Sequence, residues 1–323
     1  MNKIKFPRKD VDGRSWTQQD IENWFLNKTK DKIFQNLQTV SPTNNNNIEN
    51  KLLEIVKNHL STILVALPRR LELWTDIIDR YRPSLTKSFI GNIRKAFGYD
   101  SFRANTLVEL AKILNIKSCP YCNMHYTLYA EETKKNSKKE KLAKFQFDHF
   151  FDKSKYPMLS MSLYNLIPSC AVCNHSKLTN KLSLSFHPYH SNICEQFRFK
   201  LQNPTDLFCG EKKKRDLIII DLISKSNNNT DLKVFVKTFH MKALYQRHRD
   251  IAQETFDKAY EYPYYSNPSN FTWLSKESPN YIKRLWMGTY PDEKDIEKRP
   301  MTKFIQDLWE QAIRNKLSVE TNI

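Results

Sequence analysis

The chain has 323 residues, enough for one large domain or two to three smaller modules, and its 40% hydrophobic and 12% aromatic residues argue against wholesale disorder. Only 5 glycines occur, and no Walker or dinucleotide fingerprint is present, which argues against enzymes built on glycine-rich nucleotide loops. The formal charge of +17 favours a polyanionic partner such as nucleic acid, although a solvated basic surface is the alternative explanation.

No apolar stretch approaches the length needed to span a bilayer, and the first residues are not followed by a signal-peptide core. We therefore expect a cytoplasmic protein without a membrane partner. In that reducing setting, paired cysteines indicate metal ligands rather than disulfides.

Residues 1–118 are expected to form a mainly helical N-terminal region. Apolar residues recur at helical spacing over 48–67, where Pro68 is expected to end the run, and again over 107–114. This region carries no motif with evident chemistry. It is interpreted as structural support, with docking of a partner or of nucleic acid as the alternative.

Residues 119–190 form a central module in which Cys, His, Asn and Pro are concentrated. In residues 191–323, an apolar run over 217–223, three asparagines and an alternation over 232–236 predict a two-stranded β-ribbon. Amphipathic helices are expected after it, including one over 304–313. The fold class expected is α+β.

Two CxxC pairs, Cys119-Pro120-Tyr121-Cys122 and Cys170-Ala171-Val172-Cys173, predict a zinc site. Two residues between cysteines let both thiolates turn toward one ion, and two such pairs complete a tetrahedral set. With four protein ligands the ion has no open position, so its role would be structural. The alternative is that four buried cysteines share this spacing by coincidence. Cys194 and Cys209 lack such partners and are expected to be small buried apolar groups.

Between the two pairs, a strand-like alternation over 145–150 contains an acid beside a histidine, Asp148-His149. Phosphodiester cleavage needs a base to activate water and a cation to neutralise charge on the phosphate. His149 can take the proton, because histidine titrates near neutral pH. Asp148 offers hard oxygens that suit Mg²⁺. An Asp-His dipeptide alone is more often a surface pair than a site.

The order of Asp148-His149, a central Asn165 and the segment Cys173-Asn174-His175-Ser176-Lys177 resembles the HNH endonuclease family and its ββα-metal motif. The resemblance extends from Cys119 to Lys177. It implies a small ββα-metal core with a four-cysteine zinc site, embedded in a mainly helical chain.

The resemblance also implies catalytic roles. His149 would be the general base, Asp148 and Asn174 would bind the catalytic Mg²⁺ or Mn²⁺, and Asn165 would brace the loop that carries the histidine. Asparagine stands at position 174 where many relatives have histidine, and His175 is an alternative ligand. Three lysines are expected to contact nucleic acid: Lys153, Lys155 and Lys177.

The spacing over 148–157 and from Asn165 onward is similar to that of the HNH effector subunits of bacterial retron and Septu-type phage-defence systems. This similarity implies a metal-dependent endonuclease that cleaves DNA, or alternatively RNA, as an antiviral effector. An ATPase or another defence-system protein would be its partner. The rival hypothesis is a zinc-stabilised nucleic-acid-binding protein without catalysis, and a second rival is an RNA-directed toxin that uses the same site.

Overall fold

A computed structural model of the protein describes residues 2–43, 46–133, 139–202, 218–225, 229–265, 267 and 276–320. Within these residues the chain is a mixture of helices and small antiparallel sheets of two strands each. This mixture agrees with the α+β composition expected from the sequence. No helix within the described part of the chain is both long and apolar enough to cross a membrane.

The chain divides into two compact units. The N-terminal unit consists of Lys3–Ile116 and Thr127–Ser191, and the C-terminal unit consists of Met1–Asn2, Lys117–Tyr126 and Asn192–Ile323. The regions expected from composition (1–118, 119–190 and 191–323) are consecutive segments, whereas each of these units combines segments that are distant in the sequence.

The N-terminal unit contains eight of the described helices. They are α1 (Gln18–Gln38), α2 (Asn47–Asn58), α3 (Leu60–Leu64), α4 (Pro68–Tyr81), α5 (Lys87–Phe97), α6 (Tyr99–Arg103), α7 (Thr106–Leu114) and α8 (Ala171–Lys177). Its described strands form antiparallel pairs, β1 (Arg8–Lys9) with β2 (Ser15–Trp16), β3 (Tyr129–Thr133) with β4 (Lys139–Ala143), and β5 (Gln146–His149) with β6 (Leu166–Ser169).

Helix α1 shows how local sequence sets a helix start. Thr17 accepts a hydrogen bond from the Asp20 amide (3.2 Å), and the Asp20 carboxylate accepts one from the Thr17 amide (2.9 Å). This reciprocal pair satisfies amide groups that have no partner within the helix. Buried side chains then recur every four residues, at Ile21, Phe25 and onward to Leu37, and fix the face that packs inward.

The apolar run over 48–67 does not form one helix. Helix α2 ends at Asn58, and α3 begins at Leu60 after His59, which has non-helical dihedral angles. Pro68 occupies the first position of α4. The run stops before Pro68, as expected, and Pro68 also begins the next helix, because the fixed φ of proline and its missing N–H suit a helix start.

A hairpin followed by a helix lies at the centre of the N-terminal unit. Strands β5 and β6 pair with Phe147 opposite Pro168 and His149 opposite Leu166. Helix α8 starts two residues after β6, and Cys170 is its N-cap residue. The acid–histidine pair therefore stands at the end of β5, opposite the first two residues of β6.

The C-terminal unit contains one described strand pair and the remaining described helices. Strand β7 (Phe197–Leu201) pairs with β8 (Ile220–Ser224). The helices are α9 (Asn229–Thr238), α10 (Met241–Tyr245), α11 (Arg249–Tyr265), α12 (Pro279–Met287) and α13 (Thr302–Glu320). Helix α13 also binds the strand pair, because the Phe199 amide donates to the Asp307 carboxylate (2.9 Å).

The predicted β-ribbon exists, but with a different partner strand. Residues 232–236 belong to α9, in which Leu232 and Phe235 are buried and Val234 is exposed. An interval of three between buried side chains is helical, so the alternation that suggested a strand was misleading. Strand β8 pairs instead with β7, which lies before it in the sequence.

Candidate functional site

The sulfur atoms of Cys119, Cys122, Cys170 and Cys173 lie within 4.8 Å of one another, and all four cysteines are buried. Tetrahedral zinc with Zn–S bonds of about 2.3 Å places sulfur atoms roughly 3.8 Å apart. A small contraction would therefore bring the four thiolates into contact with one ion. The predicted meeting of the two CxxC pairs is confirmed, and the cluster can hold a metal ion such as zinc.

Backbone amides donate to two of these sulfur atoms. The Met124 amide lies 3.3 Å from Cys122 Sγ, and the Cys173 amide lies 3.4 Å from Cys170 Sγ. Hydrogen bonds to sulfur favour the thiolate, which is the form that binds metal. The ring nitrogen Nδ1 of His125 lies 3.8 Å from Cys122 Sγ.

Asn123 fixes the conformation of the first CxxC pair. Its φ of 53° is in the left-handed region, and its amide donates to the Cys119 carbonyl (2.8 Å). Its buried side chain donates to Ser118 Oγ (2.8 Å) and to the Ile296 carbonyl (3.0 Å), and accepts from the Lys303 amide (2.9 Å). Asparagine tolerates this backbone region better than most residues do. No sequence motif marks Asn123.

The side chain of His149 is buried and held in one tautomer. Its Nε2–H donates to the Ser160 carbonyl at 3.0 Å, and because a carbonyl can only accept, the lone pair is on Nδ1. Burial, followed by the charge of Lys153, lowers the pKa of His149 to about 3. The imidazole is therefore neutral near pH 7, with its lone pair on Nδ1. It does not titrate near neutral pH as the sequence suggested, because burial disfavours the imidazolium, so Nδ1 is a weaker base than in an exposed histidine.

Tyr99, from α6, packs against the histidine ring. The two ring centroids are 4.6 Å apart in an edge-on arrangement, and the Tyr99 hydroxyl donates to the Phe147 carbonyl (3.4 Å). Burial raises the pKa of Tyr99 to about 12, so its hydroxyl stays protonated. The ammonium of Lys153 lies over the Tyr99 ring, 4.3 Å from its centroid. Contacts with Ser160 and Tyr99 thus restrict the His149 ring.

Asn165 cross-links the loop between β5 and β6. Its buried side chain accepts from the Phe151 amide (2.7 Å) and donates to the carbonyls of Phe151 (3.0 Å) and Leu159 (2.9 Å). Leu159 directly precedes Ser160, whose carbonyl binds His149. The carboxamide of Asn165 therefore holds the loop segment that orients the histidine.

Asp148 forms an ion pair with a buried lysine. Lys177 Nζ lies 3.3 Å from the Asp148 carboxylate and donates to the His149 carbonyl at 2.7 Å. The Lys177 side chain has no exposed surface, and that of Asp148 is 4% exposed. This placement differs from the phosphate contact expected for Lys177, because a buried cation requires an anionic partner and Asp148 supplies it.

A cavity of about 320 Å³ opens beside His149. Among its lining residues are three that the sequence singled out, His149, Asn174 and Lys153. The Asn174 carboxamide nitrogen donates to Gln146 Oε1 (2.6 Å), so its oxygen is the atom left for a ligand. Asn174 lines the cavity, whereas neither Asp148 nor His175 is among its described lining residues.

The other predicted nucleic-acid contact, Lys155, is placed differently from Lys153. Its side chain is half exposed, and its ammonium lies 3.5 Å from the Asp79 carboxylate. Lys153 lines the cavity at His149, whereas Lys155 does not appear among the described residues around it. The two lysines are only two residues apart in the sequence, so their different surroundings come from the fold.

Helix α6 supplies cavity residues that the sequence analysis missed. Tyr99, Asp100 and Arg103 line the cavity. Burial, and less strongly the nearby Arg94 and Arg103, lower the pKa of Lys153, which shows that these cations are close together. No motif marks residues 99–103, and they are distant in sequence from the acid–histidine pair. Only tertiary packing brings them to it.

The oxygen ligands available near His149 suit a hard divalent cation in their chemistry. Mg²⁺ is usually bound by one or two carboxylates and completes its shell with water and phosphate oxygens. The Asn174 carboxamide oxygen and the Asp148 carboxylate are such donors. A cation at Asp148 would share that carboxylate with the Lys177 ammonium.

No protein-family model, curated protein or solved structure matches the chain.

We expect the purified protein to contain a single zinc ion, bound by the four clustered thiolates. Cys173→Ser should remove it and lower the unfolding midpoint, because it deletes one of four ligands. Cys194→Ala is the matched control, since Cys194 is buried but outside the cluster; Cys209 lies outside the described residues. Metal analysis of the folded variants measures the zinc content per chain. Equal zinc content in the two variants would contradict the assignment.

We expect Lys177→Met to lower the free energy of unfolding by about 3–5 kcal/mol, because it leaves the buried Asp148 carboxylate without its cation. Lys258→Met is the control, since Lys258 forms an exposed ion pair with Glu254, and this change should cost under about 0.5 kcal/mol. Urea denaturation measures both. Adding Asp148→Asn to Lys177→Met should recover part of the loss, and simple additivity would show that the pair is not coupled.

Proposed function

We propose that the protein is a metal-dependent endonuclease of the HNH type that hydrolyses phosphodiester bonds, with DNA as the favoured substrate and RNA as the alternative. The observation that carries this proposal is the His149 imidazole, fixed in one tautomer at a cavity that Asn174, Lys153 and Arg103 also line. The order of β5, β6 and α8 supports a ββα-metal core, and the four-cysteine cluster supports a structural zinc ion beside it.

In this mechanism, His149 Nδ1 accepts a proton from the attacking water. The Ser160 carbonyl keeps Nε2 protonated, so the lone pair stays on Nδ1 throughout substrate binding. Asn165 holds the loop, and Tyr99 limits rotation of the imidazole. Rigid placement of a general base lowers the barrier to reaction, because no reorganisation is needed when the phosphate arrives.

Asp148 and Asn174 would hold the catalytic Mg²⁺ or Mn²⁺. When bound, such an ion neutralises charge on the phosphate and on the leaving oxygen. Lys153 and Arg103, which both line the cavity, would hold phosphate oxygens of the substrate. Lys177 compensates the charge of Asp148 from within the fold.

An antiviral effector role beside an ATPase or another defence-system protein is part of the proposal, and it rests on the motif spacing alone. The rival is a zinc-stabilised nucleic-acid-binding protein without catalysis. The feature that favours the enzyme is the position of His149, whose ring is fixed in one tautomer at the cavity wall, because binding alone does not require an oriented imidazole there.

His149→Ala should lower the rate of nucleic-acid cleavage by roughly 10²–10⁴-fold, the usual contribution of a positioned general base. His59→Ala is the control, because His59 is exposed and distant in sequence from the motif. Cleavage of DNA and RNA, offered side by side with and without Mg²⁺ or Mn²⁺, gives the rates, while zinc content and circular dichroism report folding. If the unchanged protein cuts neither substrate and His149→Ala binds nucleic acid equally well, the binding-module hypothesis is favoured.

Lys153→Ala should weaken nucleic-acid binding more than Lys155→Ala does. Lys153 lines the cavity at His149, whereas the charge of Lys155 is already compensated by Asp79. Loss of one phosphate contact should reduce the slope of log affinity against log salt by about 1. Fluorescence anisotropy with a labelled oligonucleotide measures affinity and slope for both variants, which carry equal charge. If both variants lose the same affinity, the phosphate does not bind at Lys153.

A further inference from the structure

A second cavity, of about 520 Å³, lies in the N-terminal unit and shares no lining residue with the cavity at His149. The N-terminal segment, the start of α4 and the residues after the motif enclose it. Its volume is within the range of about 300–1,000 Å³ that is typical of small-molecule sites.

The lining of this cavity is basic. It includes Lys3, Lys5, Arg69, Arg70 and His190, and no acidic side chain is among the lining residues that the structure describes. Among the described parts of the chain, neither the two lysines nor the two arginines form an ion pair. Grouped cations without anionic partners repel one another, so an anionic ligand would be attracted strongly.

The start of α4 adds to the positive potential. This helix has 14 residues, and its N-cap residue, Leu67, makes no side-chain hydrogen bond to the first turn. Arg69 and Arg70 occupy that first turn. Backbone amides at a helix start carry partial positive charge and bind phosphate readily.

Three aromatic side chains also line the cavity. Phe6 is half buried, and Tyr164 and Tyr189 are buried. The Tyr164 hydroxyl is already committed, because it donates to Glu22 Oε1 at 2.6 Å. Cations beside aromatic rings are the combination that binds the phosphate and the base of a nucleotide.

We propose that this cavity binds the phosphate groups of a nucleotide, either a free nucleotide or one unit of a nucleic-acid strand. The site is separate from the catalytic machinery proposed above and does not depend on it. In either case the phosphate groups would lie among the lysines and arginines of the lining.

The test uses the full chain in Mg²⁺-free buffer and the double variant Arg69→Ala/Arg70→Ala. The matched control is Lys51→Ala/Arg80→Ala, which also removes two exposed cations from helices of this unit. Binding of ATP and of a labelled ten-nucleotide single strand is measured by calorimetry and anisotropy, and circular dichroism reports folding. A second variant, Lys3→Ala/Lys5→Ala, alters the part of the lining that the N-terminal segment supplies.

We expect the affinity for at least one probe to fall about tenfold or more in both cavity variants and less than about threefold in the control. Loss of ATP binding with unchanged strand binding identifies a free nucleotide. Loss of strand binding, with the salt slope reduced by about 1.4 for two phosphate contacts, identifies nucleic acid. The proposal is overturned if the unchanged protein binds neither probe, or if cavity and control variants lose affinity equally.

Discussion

The rest of the candidate site depends on the contacts of the buried Lys177 ammonium with the end of β5. A cation without contact to water needs a compensating anion and hydrogen-bond acceptors, and Lys177 finds these in the Asp148 carboxylate and the His149 carbonyl. Both partners are at the end of β5, whereas the lysine is on α8. This single side chain therefore fixes the helix against the strand end that presents the imidazole.

Further contacts extend this constraint to the histidine ring. The Ser160 carbonyl selects the tautomer, and Asn165 holds the loop that contains Ser160. Tyr99, on α6, packs against the His149 ring. These groups are buried and hydrogen-bonded, so they can form a rigid frame around His149. The loop over 150–165 is long, but its interior contacts make it part of the core.

The basic surroundings of His149 have two effects on its chemistry. Burial is the main cause of its low pKa, and the charge of Lys153 lowers the pKa further. The same charge attracts phosphate, and a bound phosphate would offset the effect of Lys153 on the imidazole. In the proposed enzyme, substrate binding and the basicity of the histidine would therefore be coupled electrostatically. The excess of cations in the whole chain would add to the same attraction at longer range.

The sequence by itself determined the features that depend on local spacing, namely the two CxxC pairs and the strand ending in Asp148-His149. These follow because short intervals along the chain fix which side chains share a face or an ion. Local spacing was misleading in α9, where the apolar residues fit both the alternation of a strand and the three-residue interval of a helix. Tertiary structure alone decided that Lys177 turns inward to Asp148, that Lys153 and Lys155 have different surroundings, and that α6 contributes Tyr99 and Arg103. Each of these depends on burial and on partners distant in the sequence, which no pattern of neighbouring residues encodes.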